Sequence, residues 1–246
     1  MNLKPLKDAL IIAELKSIPD LKRNPSMVLL VGVISSFPLF YVLVFGGNIS
    51  YGLVGAMVAT ISFIGLVAAI QDISFDRYVK IREMIVAMPV NPVSYSVGLA
   101  LGPLLISAPG LVFFIGLSVA LGALPILSIG WAVAMLILCW AACSSIGFIV
   151  STYFRNASVY TLGNIGNILG LGLVFIPPVY YPEEVLGRMR WLSMVFPTSN
   201  VAGLIRYYAG TLPLTMEMVL IRWLILVATV AVSIIIVSFK AKWRET

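Results

Sequence analysis

Few side chains in this sequence are suited to catalysis or to metal binding. Histidine is absent from all 246 residues, which excludes histidine-based acid–base chemistry and histidine ligands. Cys139 and Cys143 are four residues apart in an apolar run and would share a helix face, which is more typical of packing than of a ligand pair. No Gly-Lys dipeptide occurs, so the chain holds no phosphate-binding P-loop. We therefore expect no catalytic site and no metal site, and we predict that the chain is not an enzyme.

The most informative charged residues lie in the 72–92 segment. On a helical wheel, Asp76, Lys80 and Glu83 form a polar stripe. The opposite arc is apolar and consists of Phe75, Tyr78, Val79, Ile81, Ile85 and Val86. This pattern predicts an amphipathic helix, and two interpretations stay open. It is either a membrane-surface helix that joins two spans or a docking element for a soluble partner.

A second polar stripe lies in an apolar stretch near residue 165. Tyr160, Asn164 and Asn167 follow the spacing i, i+4, i+7 and would share one helix face. Small residues that allow close helix contact lie beside them, at Gly163, Gly166, Gly170 and Gly172. Amides within a membrane need partners, so the stripe predicts a transport pathway, a subunit interface or packing between helices.

The overall composition is that of a membrane protein. Apolar residues make up 61% of the chain and charged residues 11%, whereas a soluble domain is about a quarter charged. A water-soluble fold of this length could not bury so much apolar surface. The net charge of +6 fits the basic cytoplasmic segments of membrane proteins, and we expect no nucleic-acid partner.

Six apolar stretches are long enough to cross a membrane as helices. They run over about 26–45, 51–70, 95–121, 129–152, 159–176 and 218–239. Residues 1–24 mix basic and apolar side chains and predict a cytoplasmic N-terminal segment, which is either an interfacial helix or a frayed tail. The fold class is therefore an all-α membrane protein with about six spans, forming a single transmembrane domain over residues 1–246.

The loops set the predicted orientation. Basic residues collect before the first span, in the 72–92 segment, at Arg155 and after the last span, while the turns around Gly46 and Leu124 carry no charge. Basic loops are typically cytoplasmic, so we expect a multi-pass protein of the cell membrane with both termini in the cytoplasm. The 178–216 segment then lies on the outer face, where its prolines predict short re-entrant or interfacial helices.

This layout resembles the permeases of type 2 ABC exporters, and the likeness covers nearly the whole chain. The charged 72–92 segment, from Asp76-Arg77 to Met88-Pro89, looks like the cytoplasmic helix of that family. The outer segment is similar to the family's re-entrant region in its motif Tyr181-Pro182…Trp191-Leu192…Phe196-Pro197…Arg206. Gly187 departs from the pattern, because the family has a second proline there.

The resemblance implies that two permease chains, expected to be a homodimer, pair with two copies of an ABC ATP-binding subunit. ATP and Mg²⁺ would belong to that partner, with no cofactor in this chain. The implied coupling helix includes Phe75, Asp76, Arg77, Tyr78, Lys80, Arg82 and Glu83. Candidates for the pathway or dimer face are Tyr160, Asn164, Asn167, Gly163, Gly166 and Gly170, and those of the outer segment are Tyr181, Pro182, Glu183, Pro197 and Arg206. The alternatives are an ATP-independent channel or carrier and a non-transport assembly protein.

Overall fold

The computed structural model describes residues 4–23, 47–78, 92–154 and 156–240, and within these ranges the chain is helical with no strand. We number the α-helices in chain order. They are α1 (Lys4–Arg23), α2 (Ile49–Tyr78), α3 (Pro92–Ala120), α4 (Ile129–Tyr153), α5 (Val159–Phe175), α6 (Leu192–Val195), α7 (Pro197–Tyr208) and α8 (Met216–Lys240). Short 3-10 helices cover Ile126–Ser128 and Glu183–Met189. The predicted all-helical class is confirmed for the part of the chain that the structure describes.

Helix α2 lies at the centre of the bundle. Of its most apolar stretch, 83% is buried inside the protein, against 22% for α8. It packs against α3, α4, α5 and α7, and its side chains at Leu53, Met57, Ile61, Leu66 and Ile70 form the middle of the apolar core. A helix that is apolar on every side is expected in such a buried position.

A glycine brings α4 into close contact with α2. A Cβ atom at Gly147 would lie 2.7 Å from the Leu66 carbonyl oxygen and 2.9 Å from the Ala69 Cβ. Both distances are shorter than van der Waals contact, so only glycine fits here. Helices in membranes commonly use small residues in this way, because close backbone approach strengthens packing when apolar burial supplies no driving force.

The N-terminal helix packs against the first half of α3. Its buried side chains, Ala9, Ala13 and Ser17, are spaced by four residues and form one face. The Ser17 hydroxyl lies 3.0 Å from the Gly102 carbonyl oxygen. At Gly98 a Cβ atom would lie 2.8 Å from the Ala9 carbonyl oxygen, so this contact also depends on a missing side chain.

Four helices of the described chain are long and apolar enough to cross a membrane, namely those spanning Ile49–Asp76, Val97–Ala120, Ile126–Tyr153 and Met216–Ser233. Helix α5 is also apolar but has 17 residues, or about 26 Å at 1.5 Å per residue. This is shorter than the ~30 Å hydrocarbon core of a bilayer. The predicted first span, at 26–45, falls outside the described residues, and the total of six spans stays a prediction.

Candidate functional site

The outer segment contains a fully buried arginine near the end of α7. Helix α7 begins at Pro197, whose fixed φ suits the first turn, and all its residues from Pro197 to Arg206 are buried. The Arg206 guanidinium donates to the carbonyl oxygens of Pro178, at 3.3 Å, and Val179. It also lies over the ring of Tyr51 in α2. Arg206 therefore ties the start of the outer segment to the central helix.

A second arginine, Arg222, is buried in the first half of α8. Its side chain has no exposed area, and its guanidinium forms an ion pair with the Glu183 carboxylate, which is 16% exposed. The same guanidinium lies 3.3 Å from the Ser199 carbonyl oxygen as a hydrogen-bond donor. Gly203 makes room for it, because a Cβ atom there would lie 3.0 Å from the guanidinium carbon of Arg222.

These groups form one charged cluster, which we define as Glu183, Arg206 and Arg222. Burial lowers the pKa of Arg206 to about 10, opposed by Tyr51 and Glu183, so the guanidinium stays protonated at neutral pH. The cluster thus carries two positive charges against one negative charge. Within the described chain, the Nε atoms of both arginines have no hydrogen-bond partner. Buried polar groups without a hydrogen-bond partner destabilise a fold, which favours a functional role for the cluster over a purely stabilising one.

The other outer-segment candidates have structural contacts near this cluster. The Tyr181 hydroxyl donates to the Ile176 carbonyl oxygen at 2.5 Å, and Pro182 caps the 3-10 helix that begins at Glu183. Pro197 begins α7, and the neighbouring Thr198 hydroxyl donates to the Leu173 carbonyl oxygen at 2.6 Å. The sequence motif therefore consists largely of residues that shape the backbone, while Glu183 and Arg206 supply the charges.

Sequence reasoning missed Arg222. It lies inside the last predicted span and its partner is 39 residues away, so no local spacing indicates the pair. A signal was present, however. A lone arginine in an apolar span is rare and is a functional candidate by default.

The predicted stripe on α5 is exposed in the single chain. Tyr160 is 83% exposed, and Asn164 and Asn167 are exposed on the same side. The Ser158 hydroxyl caps this helix by accepting from the Thr161 amide, which fixes its start at Val159. The three polar side chains thus share a face that no part of the described chain covers.

The glycines of α5 lie on a different face. Gly166 and Gly170 are buried against α2, where a Cβ atom on Gly170 would lie 2.7 Å from the Phe63 ring. Gly163 is half-buried beside Gln71. Helix α2 of the same chain occupies that face, and the expected contact of Gly166 and Gly170 with a second chain stays a prediction.

The structure changes the interpretation of the 72–92 segment. Helix α2 continues without a break through residues 72–78, so a separate coupling helix does not begin at 72. Asp76 is 2% exposed and accepts a hydrogen bond from the Tyr95 hydroxyl of α3, whereas Phe75 is 53% exposed. Asp76 is thus not a surface charge, contrary to its predicted place on an exposed stripe.

The remaining coupling candidates are only partly described. Arg77 and Tyr78 are the last two residues of α2. Lys80, Arg82 and Glu83 fall outside the described residues. Their proposed role in docking stays a prediction from sequence.

The described residues hold no group of three or more potential metal ligands, and both cysteines are buried as free thiols. Comparison with known proteins yields no matching family model, no matching curated protein and no matching solved structure. The function must therefore be argued from the residues themselves.

Proposed function

We propose that this chain is the transmembrane permease subunit of an ATP-driven ABC exporter. In this proposal it works as a homodimer in the cell membrane, crosses the membrane about six times and keeps both termini in the cytoplasm. Two copies of a separate ATP-binding subunit hydrolyse ATP with Mg²⁺, and the substrate is moved outward. The assignment to this family is based on the order of the apolar and charged segments along the sequence.

The exposed stripe on α5 is the observation that carries this proposal furthest. Tyr160, Asn164 and Asn167 project from an apolar helix and are not covered by the part of the chain that the structure describes. Amide groups facing lipid would lose their hydrogen bonds, which is costly in a membrane. A second copy of the chain, or a watery path between two copies, would satisfy them, and a dimeric permease offers both.

The hydrogen bond between Asp76 and Tyr95 supports the coupling role. It joins the end of α2 to the first turn of α3, so the two helices that flank residues 79–91 are linked to each other. Because α2 is the central helix, a force applied to 79–91 would reach the core of the bundle. This is the arrangement that a permease needs if an ATPase drives it from the cytoplasm.

Co-purification tests the proposal directly. The chain should be expressed with any P-loop ATPase that is found encoded beside its gene and isolated through a tag on the permease, and the stimulation of ATP hydrolysis should be measured. The double variant Arg82→Glu/Glu83→Lys should lose binding, because each exposed charge pair is worth about 0.2–1 kcal/mol and two reversals add. Asp76 is left unchanged, since a lysine at this buried position would damage the fold itself.

The matched control is Glu184→Lys, a reversal of an exposed charge about 100 residues further along the sequence, in the 3-10 helix Glu183–Met189. It should bind and stimulate the ATPase as the wild type does. Binding lost equally in both variants would argue against a specific cytoplasmic contact. Substrate flux without any ATPase would favour the channel or carrier, and the absence of both flux and ATPase would favour an assembly protein.

Cysteine cross-linking tests the dimer face. Single cysteines at Asn164, Asn167 and Ile168 should form intermolecular disulfides in membranes, because these exposed positions share one side of α5. Leu224 on α8 is 69% exposed and serves as the control on another face. The native cysteines are buried and should not react. Cross-links at Leu224 but none on α5 would place the interface elsewhere.

A further inference from the structure

The stretch 182–191 projects from the body of the protein. No residue of its 3-10 helix, Glu183–Met189, is buried. The chain on either side is anchored, since Pro177 to Tyr180 and Ser193 are buried. The stretch is therefore a projecting tip held between two fixed ends.

One side-chain contact links this tip to the helices. Apart from that contact, every hydrogen bond and ion pair of residues 182–191 within the described chain has its partner inside residues 182–194. The surface ion pair of Glu184 with Arg190 is an example. The ion pair of Glu183 with Arg222 alone reaches the bundle, at α8. Apart from its anchored ends and the half-buried Leu186, the tip is therefore held to the helices by one ion pair.

The two partners of this contact differ in mobility. Arg222 is fixed, because it has no exposed area, donates to the Ser199 carbonyl oxygen and packs on Gly203. Glu183 sits on the projecting tip, near Gly187, whose φ of 51° and ψ of −115° interrupt the 3-10 helix. Other residues rarely adopt that backbone conformation, so Gly187 allows the tip to bend.

We propose that residues 182–191 form a flap, and that the ion pair of Glu183 with Arg222 is the latch that holds it closed. When the latch breaks, Arg222 stays in place through Ser199 and Gly203 while the flap moves away. Opening removes Glu183 from the Arg222 guanidinium, which lies 3.3 Å from the Ser199 carbonyl oxygen, and water then reaches the polar surface of α7 beside Ser199. The proposal concerns movement within the chain and does not depend on an ATPase partner.

The rate of thiol labelling measures this opening. Ser199 is 1% exposed, so a cysteine at this position should react slowly with a water-soluble maleimide. The variant Glu183→Gln is isosteric but removes the charge from the latch, and charge-assisted hydrogen bonds are roughly twice as strong as neutral ones. The measurement is made in nanodiscs, where reagents reach both sides of the membrane. We expect Glu183→Gln to raise the labelling rate of S199C about tenfold, because the rate is proportional to the fraction of molecules with an open flap.

The neighbouring carboxylate supplies the matched control. Glu184→Gln removes a charge from the same tip but breaks only an exposed pair, and it should leave the rate unchanged. Glu183→Asp keeps the charge on a shorter side chain. It should also label faster than the wild type, and it replaces the glutamine variant if that variant fails to purify.

The native thiols separate flap movement from general loosening. Cys139 and Cys143 lie fully buried in the core and should stay unlabelled in every variant. The proposal is wrong if Glu183→Gln labels at the wild-type rate, if Glu184→Gln accelerates labelling as strongly, or if the native cysteines react in parallel with S199C.

Discussion

The guanidinium carbon of Arg206 lies 3.9 Å from the centroid of the Tyr51 ring, which joins the last turn of α7 to the first turn of α2. These residues are 155 positions apart in sequence. The contact combines a cation with the face of an aromatic ring and leaves the guanidinium free to donate to backbone carbonyls. It fixes the outer segment on the most buried helix of the bundle.

The contact between Arg206 and Tyr51 predicts that even a conservative substitution of Arg206 lowers the stability of the protein. Arg206→Lys keeps the charge but loses the planar group that donates to two carbonyl oxygens while lying over Tyr51. We expect a loss of about 1.5–3 kcal/mol in stability, measured as a lower thermal unfolding midpoint in detergent. Arg188→Lys, an exposed arginine of the same segment, should change stability by less than about 0.5 kcal/mol. Equal effects of the two variants would contradict the buried role of Arg206.

Two glycines of α5 offer a matched test of its packing. Gly170→Ala places a methyl group 2.7 Å from the Phe63 ring, so we expect a loss of about 1–3 kcal/mol from overpacking. Gly172→Ala meets only an ordinary contact at 3.6 Å and should gain up to about 1 kcal/mol in helix propensity. The test compares the thermal unfolding midpoints of the two variants and the fraction of each that cross-links as a dimer. A Gly170→Ala protein of normal stability but weaker dimerisation would restore the intermolecular interpretation.

The hydrogen bond between Asp76 and Tyr95 predicts a coupled pair. Tyr95→Phe removes a donor from a buried carboxylate and should cost about 1–3 kcal/mol, whereas Asp76→Asn retains an acceptor and should cost less. In a double-mutant cycle the two losses should not add, because the groups interact directly. Tyr207→Phe is the control and should be neutral, because phenylalanine keeps the ring contact of Tyr207 with Tyr208. Additive losses for Asp76 and Tyr95 would show that the bond is not formed in the membrane.

The predicted orientation can be tested with reporter fusions. A reporter after Gly47 should lie outside the cell and one after Thr246 inside, because the turn at Gly46 is uncharged while the final residues are basic. The side of the membrane is measured at each position with two reporters, one active only in the periplasm and one active only in the cytoplasm. Both fusions on one side of the membrane would rule out the six-span arrangement.

The sequence predicted the apolar helices well because their signals are local. A serine cap precedes α5 at Ser158 and two prolines follow it, so the predicted span of 159–176 is within one residue of the helix Val159–Phe175. Long apolar runs likewise indicate α4 and α8. Length and hydropathy suffice for such elements, since lipid requires helices to satisfy their own backbone.

The candidate site was less predictable because its contacts are distant in sequence. The helical wheel placed Asp76 on a polar stripe, but the wheel cannot show that Tyr95 approaches that stripe from α3. The sequence shows that the glycines of α5 allow close helix contact, yet spacing alone does not say which helix they approach. Arg222 pairs with Glu183 across a whole helix and a turn, and no periodic pattern relates the two.

The packing of α1 on α3 has a consequence for the order of assembly. The Ser17 hydroxyl binds a carbonyl oxygen 85 residues later in the chain. At a synthesis rate of 5–20 residues per second, the ribosome adds that partner roughly 4–17 s after Ser17 itself. During this delay the contact between Ser17 and α3 cannot form. Helix α1 therefore docks only after the first half of α3 has been made, although the helices from α4 onward are still to follow.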